Sequence, residues 1–355
     1  MELLSKLCLS LTPYTAGEQL NDKKYIKLNT NENPYPPAPE VFEAVKNFPC
    51  ENLKLYPDFD SKELQELIAK RYGLSPKNVF VGNGSDEVLA IAFPTFFGKG
   101  EERVVFADIT YSFYKVYCKL FNIDYEEIPL TENFEIRVED YLDIKGKGAV
   151  IANPNAPTGI AINNFELEKI ASKNPNKVII IDEAYTAFAK TSAIELTKKY
   201  PNVLIIQTFS KSYSLAGIRC GYAIGNEKLI EGLEKTKNSF NSYTVNRITQ
   251  SAAAAAFKAT RYYDNVTNEV IAVREDIKGR LINLGFKVTE SKSNFLFVSS
   301  DIIPAKTLYE KLREKGILIR YFNLPRIDNY VRISVGTKEQ MERFMEEVNN
   351  LISVK

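Results

Sequence analysis

The sequence contains no histidine among its 355 residues. Without histidine, Ser-His-Asp hydrolysis, Cys-His proteolysis and every histidine-ligated metal centre are excluded. Acid–base chemistry must therefore come from lysine, tyrosine, aspartate or glutamate side chains, or from a cofactor. A cofactor enzyme that uses a lysine as its base fits this restriction.

Cysteines are also few, and they lie far apart along the chain. The four of them, Cys8, Cys50, Cys118 and Cys220, form no C-x-x-C pair. Such spacing indicates neither a zinc site nor a disulfide framework. We therefore predict no metal site.

Long apolar runs and an excess of charge of either sign are missing as well. No apolar run reaches transmembrane length, and the N-terminus (residues 1–6, MELLSK) is too polar for a signal peptide. A net charge of +1 gives no electrostatic reason to expect nucleic acid or a membrane as a partner. We expect a cytoplasmic protein whose partners are small molecules.

Short apolar runs alternate with helical segments through the middle of the chain. Such runs are typical of strands that are buried on both faces, and their alternation with helices predicts a doubly wound, mainly parallel α/β sheet. Ligands of such sheets bind beyond the carboxyl ends of the strands. The predicted strands are residues 78–81, 103–106, 149–152, 178–181 and 203–207, with helices at 86–97 and 164–173.

The last third of the chain has a different pattern, which predicts a smaller α+β domain. Its predicted helices are residues 246–261, 263–284, 305–315 and 338–352, and its predicted strands are 286–289, 294–298, 317–320 and 330–334. The Asn- and Pro-rich start predicts an extended arm. The predicted division is an arm at 1–38 that contributes to the small domain and a dimer, a large cofactor-binding domain at 39–247 and a small domain at 248–355.

Lys211 is the first candidate for catalysis. It follows the apolar run at residues 203–206 in the segment TFSK. Partial burial favours the neutral, nucleophilic amine of a lysine, and Ser210 and Arg219 nearby are groups that bind phosphate. Pyridoxal phosphate supplies both an aldehyde for the lysine and a phosphate. The alternative is a solvated lysine after a core strand, with Arg219 in an ion pair.

A glycine-rich turn, GNGSDE at residues 82–87, follows the first strand of the predicted sheet and opens a helix. Glycines allow the backbone to approach a ligand closely, and a helix start offers free N–H groups to a phosphate. Ser85, at the start of that helix, is therefore a candidate for phosphate binding. A structural turn with a Ser or Asp cap is the alternative.

Asp182 ends a strong core strand in the segment VIIIDEAY, residues 178–185. An aspartate there can pair with a protonated pyridine nitrogen, and Tyr185 can hydrogen-bond the phenolic oxygen of the same ring. Tyr111 is a candidate for stacking on the ring. Asp182 as a helix cap and Tyr111 as an ordinary core residue are the alternatives.

A rigid loop, NPNAPTG at residues 153–159, follows another predicted strand. Its prolines fix φ and its glycine allows a reversal, so the loop can present the Asn155 amide to a ligand. A loop without a binding role is the alternative.

The order of these motifs resembles the fold type I pyridoxal-phosphate aminotransferases, and more narrowly the histidinol-phosphate aminotransferase family. The narrower resemblance rests on LTPY at 11–14, LNTNENP at 28–34, Tyr56-Pro57, TFSKSYSLAGIRCG at 208–221 and VRISVGT at 331–337. It covers nearly the whole chain. It implies a homodimer with pyridoxal phosphate as its cofactor.

The resemblance also implies roles for individual residues. Lys211 is expected to form the Schiff base with the cofactor and to shuttle a proton. The other expected roles are phosphate binding by Ser85, Asp86, Thr208, Ser210 and Arg219, ring stacking by Tyr111, pairing with the pyridine nitrogen by Asp182, contact with the phenolic oxygen by Tyr185, and contact with the neighbouring subunit's cofactor by Tyr56.

One position departs from the family pattern. The family's usual asparagine immediately before Pro-Thr-Gly is Ala156 here, and an alanine side chain cannot donate to the phenolic oxygen. Asn155, one residue earlier, either substitutes for it or only holds the loop. If Asn155 only holds the loop, Tyr185 carries more of that contact.

The resemblance implies transfer of an amino group from histidinol phosphate to 2-oxoglutarate in histidine biosynthesis. Arginine forks bind the phosphate of the donor and the carboxylates of the acceptor. Arg320, Arg332 and Tyr14 match the family's anion-binding positions, and surface salt bridges are the alternative for the arginines. An aromatic amino acid aminotransferase and a phosphothreonine decarboxylase of the same fold remain alternative functions.

Overall fold

The computed structural model describes residues 3–14, 17–20, 22, 24–98, 100 and 103–353. Within these residues its strands are β1 Ile26–Lys27, β2 Val79–Gly82, β3 Val104–Ala107, β4 Tyr125–Ile128, β5 Gly148–Ala152, β6 Val178–Asp182, β7 Val203–Thr208, β8 Gly221–Gly225, β9 Phe286–Val288, β10 Phe295–Ser300, β11 Ile317–Leu318, β12 Arg320–Tyr321 and β13 Tyr330–Ser334. The strands form three sheets.

The helices are α1 Lys6–Ser10, α2 Pro39–Lys46, α3 Lys62–Tyr72, α4 Ser85–Phe96, α5 Phe113–Phe121, α6 Asn164–Lys173, α7 Thr186–Ala189, α8 Ile194–Lys199, α9 Glu227–Phe240, α10 Arg247–Lys258, α11 Thr260–Asn283, α12 Ala305–Glu314 and α13 Lys338–Ser353. Short 3-10 helices lie at Cys50–Lys54, Pro76–Asn78 and Val138–Tyr141. No helix in the described part of the chain is long and apolar enough to span a membrane.

The large sheet has seven strands in the order β2-β8-β7-β6-β5-β3-β4. Neighbouring strands are parallel except at β8, which runs antiparallel to both β2 and β7. Successive side chains of a strand point to opposite faces. Ile179 and Ile181 of β6 therefore enter one apolar core, while Ile180 enters the core on the other face. The predicted doubly wound, mainly parallel sheet is confirmed.

Two strands of this sheet, β4 and β8, were not predicted from the sequence. The side chains of β4 are half-buried or exposed, because β4 lies at the sheet edge. The strand β8 is short, bounded by Gly221 and Gly225, and directly follows the lysine segment. Neither has the long apolar run that marks the central strands.

The second unit contains the antiparallel sheet β12-β13-β10-β9, which is covered by the helices of the last third of the chain. Its core joins Leu296 and Val298 of β10 to Leu308 of α12 and Phe344 of α13. The predicted smaller α+β unit is therefore present. The single strand predicted at 317–320 is wrong, because β11 pairs with β1 whereas β12 pairs with β13.

Helix α10 lies in the larger of the two units. It packs against α2 and α3, and its Ala252, Ala253 and Phe257 are buried in a core that also contains Ile179 of the large sheet. Helix α11 begins in that core with Tyr263 and reaches the small core with Ile277. We therefore propose that the division lies within α11 rather than at the predicted residue 248.

The predicted arm is not uniformly extended. It contains the short helix α1, and β1 pairs in parallel with β11 of the small unit. Leu28 after β1 is fully buried in the core of the small unit. The arm prediction also covers residues 1–2, 15–16, 21 and 23, which lie outside the described residues.

The four cysteines are all free thiols. Cys8 and Cys50 are exposed, whereas Cys118 and Cys220 are buried. Burial raises the pKa of the Cys118 and Cys220 thiols to about 12, so both are protonated at neutral pH. In the described ranges, no three Cys, Asp or Glu side chains are grouped as metal ligands.

Candidate active site

A cavity of about 600 Å³ lies beyond the carboxyl ends of β5, β6 and β7. Residues of the arm and of the small unit close it from the other side. The cavity brings together most of the site residues predicted from the sequence: Tyr14, Ser85, Asp86, Tyr111, Asp182, Tyr185, Thr208, Ser210, Lys211, Arg219, Arg320 and Arg332. Asn155 and Tyr56 do not line it.

One end of the cavity is formed by the tight turn at Gly84, which has a φ of +87°. A Cβ at Gly84 would lie 2.6 Å from Arg219 Nη2, and a Cβ at Gly221 would lie 2.4 Å from the backbone nitrogen of Ser85. Both positions therefore need glycine. Ser85 begins α4, whose first N–H groups have no partner within the helix and attract an anion.

Hydroxyl groups and a guanidinium meet at the same end of the cavity. The Thr208 hydroxyl donates to Ser210 Oγ at 3.0 Å, and Arg219 Nη1 donates to that oxygen at 3.4 Å. Arg219 Nη2 lies 3.2 Å from Asp86 Oδ2, so Asp86 orients the arginine. Together with the start of α4, these groups make an anion-binding pocket.

Asp182 ends β6 and is almost fully buried. Its Oδ2 accepts a hydrogen bond from the Tyr114 hydroxyl at 2.7 Å, and its Oδ1 accepts one from the Ala184 N–H at 3.2 Å. Burial raises the pKa of Asp182 to about 6, although both hydrogen bonds act in the opposite direction. The helix-cap alternative is wrong, because α7 begins later and has no side-chain cap.

Two tyrosines lie on the walls of the cavity. The Tyr111 hydroxyl donates to Asp86 Oδ1 at 2.8 Å, which fixes its ring near the start of α4. Burial raises the pKa of Tyr111, so it remains a neutral donor. The hydroxyl oxygen of Tyr185 accepts a hydrogen bond from Asn31 Nδ2 at 2.9 Å, and its ring packs edge-on against Phe295.

Lys211 lies three residues after the end of β7 and is partly buried. Its Nζ is 3.4 Å from the backbone oxygen of Thr30 and 5.7 Å from the ring centre of Tyr185. Among the residues that the structure describes, no carboxylate forms an ion pair with it. The amine is therefore held in the cavity without a salt bridge to neutralise it.

A second group of cations faces the cavity from the small unit. Arg320 and Arg332 are paired across β12 and β13. Arg332 Nη2 donates to the Asn29 oxygen at 3.0 Å, while its Nε is buried with no hydrogen-bond partner among the described residues. Burial lowers the pKa of Arg332. A buried donor without a partner next to a second arginine indicates a site for an anion.

Tyr14 reaches the cavity from the arm. Its ring stacks on Phe113, with ring centres 4.6 Å apart, and lies 6.4 Å from the ring of Tyr111. The Tyr14 side chain is 39% exposed. Tyr14 therefore lies on the rim of the cavity, where it can contact a bound substrate.

The structure does not support the predicted contact between Asn155 and a ligand. Its Oδ1 accepts from the Thr110 hydroxyl at 2.7 Å, and its Nδ2 donates to the Ile109 oxygen at 2.9 Å and to Thr158 Oγ1 at 3.1 Å. Its amide is therefore used within the loop. Ala156, the next residue, lines the cavity but has no polar side chain.

Tyr56 lies outside the cavity of its own chain. It is 76% exposed and stacks on Tyr243, with ring centres 4.7 Å apart. The contact expected from the resemblance is with the cofactor of a neighbouring subunit. That contact stays a prediction.

Three contacts in the site had not been assigned from the sequence. They involve Tyr114 with Asp182, Thr30 with Lys211, and Asn31 with Tyr185. Tyr114 lies in an apolar helix and is indistinguishable there from a core tyrosine. Thr30 and Asn31 belong to the segment LNTNENP, which carried the resemblance but suggested no role for its individual side chains.

Comparison with known proteins agrees with this geometry. The family described as aminotransferase class I and II matches residues 23–348. The chain belongs to that family. This aminotransferase is 49% identical over 349 residues to a histidinol-phosphate aminotransferase of Clostridium botulinum (strain Okra / Type B1), with 98% of each chain covered. It is 51% identical over 343 residues to one of Clostridium acetobutylicum, with 97% of each covered.

Solved structures show the same fold for this aminotransferase. The histidinol-phosphate aminotransferase of Sinorhizobium meliloti, solved in complex with pyridoxal-5'-phosphate, superposes with a TM-score of 0.89 at 24% identity. The alignment covers 100% of this chain and 98% of that one. The two-unit architecture is therefore that of the fold type I pyridoxal-phosphate aminotransferases.

The aminotransferase uses pyridoxal phosphate, and the residues of the cavity fit that cofactor. A Cβ at Gly84 would clash with Arg219 and one at Gly221 with the Ser85 backbone, so the two glycines allow these phosphate-binding groups to come together at the start of α4. Asp182 is a buried carboxylate that no cation of the described residues contacts in an ion pair, and a protonated pyridine nitrogen would stabilise it. Lys211 lines the same cavity, and its amine has no ion-pair partner among the described residues.

Proposed function

We propose that this enzyme transfers the amino group of L-histidinol phosphate to 2-oxoglutarate, giving imidazole acetol phosphate and L-glutamate in histidine biosynthesis. The observation that carries the proposal is the arginine pair, Arg320 and Arg332, in the same cavity as Lys211 and Asp182. The names of the Clostridium relatives, at about half of all positions identical, support the same donor.

The cofactor is proposed to lie along the large sheet. Its phosphate is bound by the start of α4 together with Ser85, Thr208, Ser210 and Arg219, and Asp86 orients the arginine. Asp182 pairs with the ring nitrogen, and Tyr111 covers a ring face. When bound, pyridoxal phosphate supplies an aldehyde that bonds to amines and a ring that accepts the electron pair left at the substrate carbon.

Lys211 acts as the acid–base group in this proposal. Its Nζ is the only lysine amine that lines the described cavity apart from that of Lys115 at the rim, and it has no carboxylate partner to lower its reactivity. Lys211 Nζ would take the proton from the substrate carbon and hold it for return at the end of the transfer. Asp182, as an anion, holds the ring nitrogen in its protonated form, which keeps the ring electron-poor.

The arginine pair selects the substrates. Arg332 offers an unused buried N–H, and its planar fork binds either the phosphate of histidinol phosphate or a carboxylate of 2-oxoglutarate. The two substrates bind in turn, so one anion site serves both. Tyr14 on the rim is proposed to cover the bound substrate.

A homodimer is also proposed. An exposed patch near the predicted cross-subunit tyrosine supports it, since large apolar side chains there are uncovered: Leu53, Leu55, Tyr56, Phe240 and Tyr243. Light scattering of the purified protein tests the proposal, and a monomer at micromolar concentration would reject it. The cytoplasmic location and the absence of nucleic-acid and membrane partners stay predictions from the sequence.

The test of the proposed function is an absorbance titration of the cofactor-loaded protein. Addition of histidinol phosphate without any keto acid is expected to remove the visible band of the bound cofactor, and 2-oxoglutarate is expected to restore it. A band that responds to phenylalanine in preference to histidinol phosphate would favour an aromatic amino acid aminotransferase. Release of carbon dioxide from phosphothreonine would favour the decarboxylase.

A further inference from the structure

Asn31 links the arm to both units of the protein at the edge of the cavity. Its side chain is 1% exposed. Its Nδ2 donates to the Tyr185 hydroxyl oxygen at 2.9 Å, and its backbone oxygen accepts from Asn294 Nδ2 at 3.0 Å. Its φ of 55° is in the left-handed region, which asparagine tolerates better than most residues. A buried asparagine in this conformation is held by several contacts at once.

The hydrogen bonds to Ser334 fix which way the Asn31 amide points. The Asn31 N–H donates to Ser334 Oγ at 2.8 Å, so the serine oxygen is an acceptor there. The serine proton is therefore free to donate to Asn31 Oδ1, at 3.0 Å. With Oδ1 engaged on this side, Nδ2 must face Tyr185 and donate to it.

This direction of donation determines the state of the Tyr185 hydroxyl. A hydroxyl that accepts one hydrogen bond keeps its own proton for another acceptor. Within the part of the chain that the structure describes, no side chain or backbone oxygen accepts that proton. Acceptance from Asn31 also polarises the O–H bond, which makes Tyr185 a stronger donor.

The alanine at position 156 makes the Tyr185 hydroxyl more important as a donor. The alanine side chain at that position offers no hydrogen bond to a ligand, and the neighbouring Asn155 side-chain amide is bonded to Ile109 and Thr110. Tyr185 is thus the donor on this wall of the cavity that remains for the phenolic oxygen of the cofactor.

We propose that Asn31 is a positioning residue, which holds Tyr185 as an acceptor on one side so that its proton is available to the phenolic oxygen of pyridoxal phosphate. The proposal rests on the contact of Tyr185 with the cofactor put forward above. Donation to the phenolic oxygen stabilises its anionic form and lowers its affinity for a proton. The strength of the Tyr185 donor therefore sets the pH at which the visible band of the bound cofactor changes.

The experiment is a pH titration of that visible band in the cofactor-loaded protein. Asn31→Gly removes the amide and keeps the left-handed backbone, so the midpoint is expected to rise by roughly half a unit to one unit. Asn31→Asp puts an acceptor where the donor was, so it draws the Tyr185 proton away and is expected to raise the midpoint further. Tyr185→Phe is expected to raise it as well.

The double variant separates Asn31 from a general structural effect. If Asn31 acts through Tyr185, Asn31→Gly produces no further shift in the Tyr185→Phe background. An unchanged midpoint in folded Asn31→Gly, or the same shift with and without Tyr185, would overturn the proposal. An unchanged midpoint in Tyr185→Phe would instead reject the cofactor contact itself, which distinguishes the two failures.

Two further variants cover the structural role of Asn31. Asn294→Ala removes the hydrogen bond to the Asn31 backbone oxygen, and it is expected to lower the unfolding temperature without moving the midpoint. Ser334→Ala removes the donor that fixes the amide, and it is expected to raise the midpoint less than Asn31→Gly does. If Asn31→Gly does not fold, an unchanged midpoint in folded Ser334→Ala overturns the proposal.

Discussion

The two ends of the cavity are built in different ways. The phosphate end comes from one sheet, from residues just beyond the strand ends, and Arg219 is held there by Asp86 at 3.2 Å. The substrate end joins the arm to the small unit: Arg332 donates to Asn29, a residue 303 positions away in the sequence. The first is assembled within the large unit, although Asp86 and Arg219 are 133 positions apart in the sequence, whereas the second exists only when the arm and the small unit pack together.

Loss of Lys211 is expected to have the largest effect, because its amine is proposed to bond to the cofactor and also to take the proton from the substrate. Lys211→Ala should lower kcat/KM by at least about 10³-fold, since no other group in the site replaces the proton carrier. Steady-state assays with histidinol phosphate measure this. Lys228→Ala, at an exposed lysine of α9, is the matched control and should leave kcat/KM unchanged.

Arg332→Lys tests the substrate end alone. Lysine keeps the charge but loses the planar fork, so KM for histidinol phosphate and for 2-oxoglutarate should both rise, with kcat/KM about 10²-fold lower. Affinity for the cofactor should be unchanged. Arg313→Lys, at an exposed arginine paired with Glu18, serves as control. An equal loss of cofactor affinity would mean that the two ends are not independent.

Asp182→Asn tests how much the buried carboxylate on the sheet side of the cavity lowers the stability of the cofactor-free protein. Its pKa rises from 3.8 to about 6 on folding, so ionisation of Asp182 destabilises the folded state as the pH increases through that interval. The cofactor-free variant should be more stable than the cofactor-free parent by about 2 kcal/mol at pH 8, and by much less near pH 4.

Urea unfolding at several pH values measures this difference. A stability gain that is the same at acidic and alkaline pH would contradict the titration of Asp182 as its cause. The variant should nevertheless lose activity, because asparagine cannot pair as an anion with the ring nitrogen.

Arg219→Lys tests the phosphate end with the smallest change. The dissociation constant of pyridoxal phosphate should rise about tenfold, because hydroxyl groups and the helix start still bind the phosphate. Fluorescence titration of the cofactor-free protein measures this. KM for histidinol phosphate at saturating cofactor should stay within about twofold of the parent value. A larger change would mean that Arg219 also contributes to substrate binding, as Arg332 is proposed to do.

The difference between strand ends and long-range contacts explains which site residues could be predicted from the sequence. Asp182, Ser85 and Lys211 were expected near the carboxyl ends of strands, and all three line the cavity there. Their positions were predictable because each lies at or after the end of an apolar run in a mainly parallel sheet. Asn31 and Tyr114 were not assigned roles, because their partners, Tyr185 and Asp182, lie far away in the sequence. Periodicity gives the strand but not the residue that a side chain meets across the cavity.

Two predictions from the sequence disagree with the structure, and each has its own physical reason. The strand predicted at 317–320 is divided at Ile319, where its second half joins another sheet. Asn155 was considered as a binding residue because it lies in a rigid loop after a strand, yet its amide is satisfied by Thr110 and Ile109. Whether a polar side chain is free for a ligand depends on hydrogen bonds that the sequence does not specify.

The pairing of β1 with β11 makes the N-terminal segment part of the catalytic apparatus. Residues 29–31 continue directly from that pairing, and they contact Arg332, Lys211 and Tyr185 in turn. Any rotation of the small unit against the large sheet would keep the contact with Arg332 but would disturb those with Lys211 and Tyr185. Proteolytic removal of the chain through residue 31 is therefore expected to leave a folded large sheet that still binds the phosphate of the cofactor. The substrate, Lys211 and the cofactor ring would no longer be aligned.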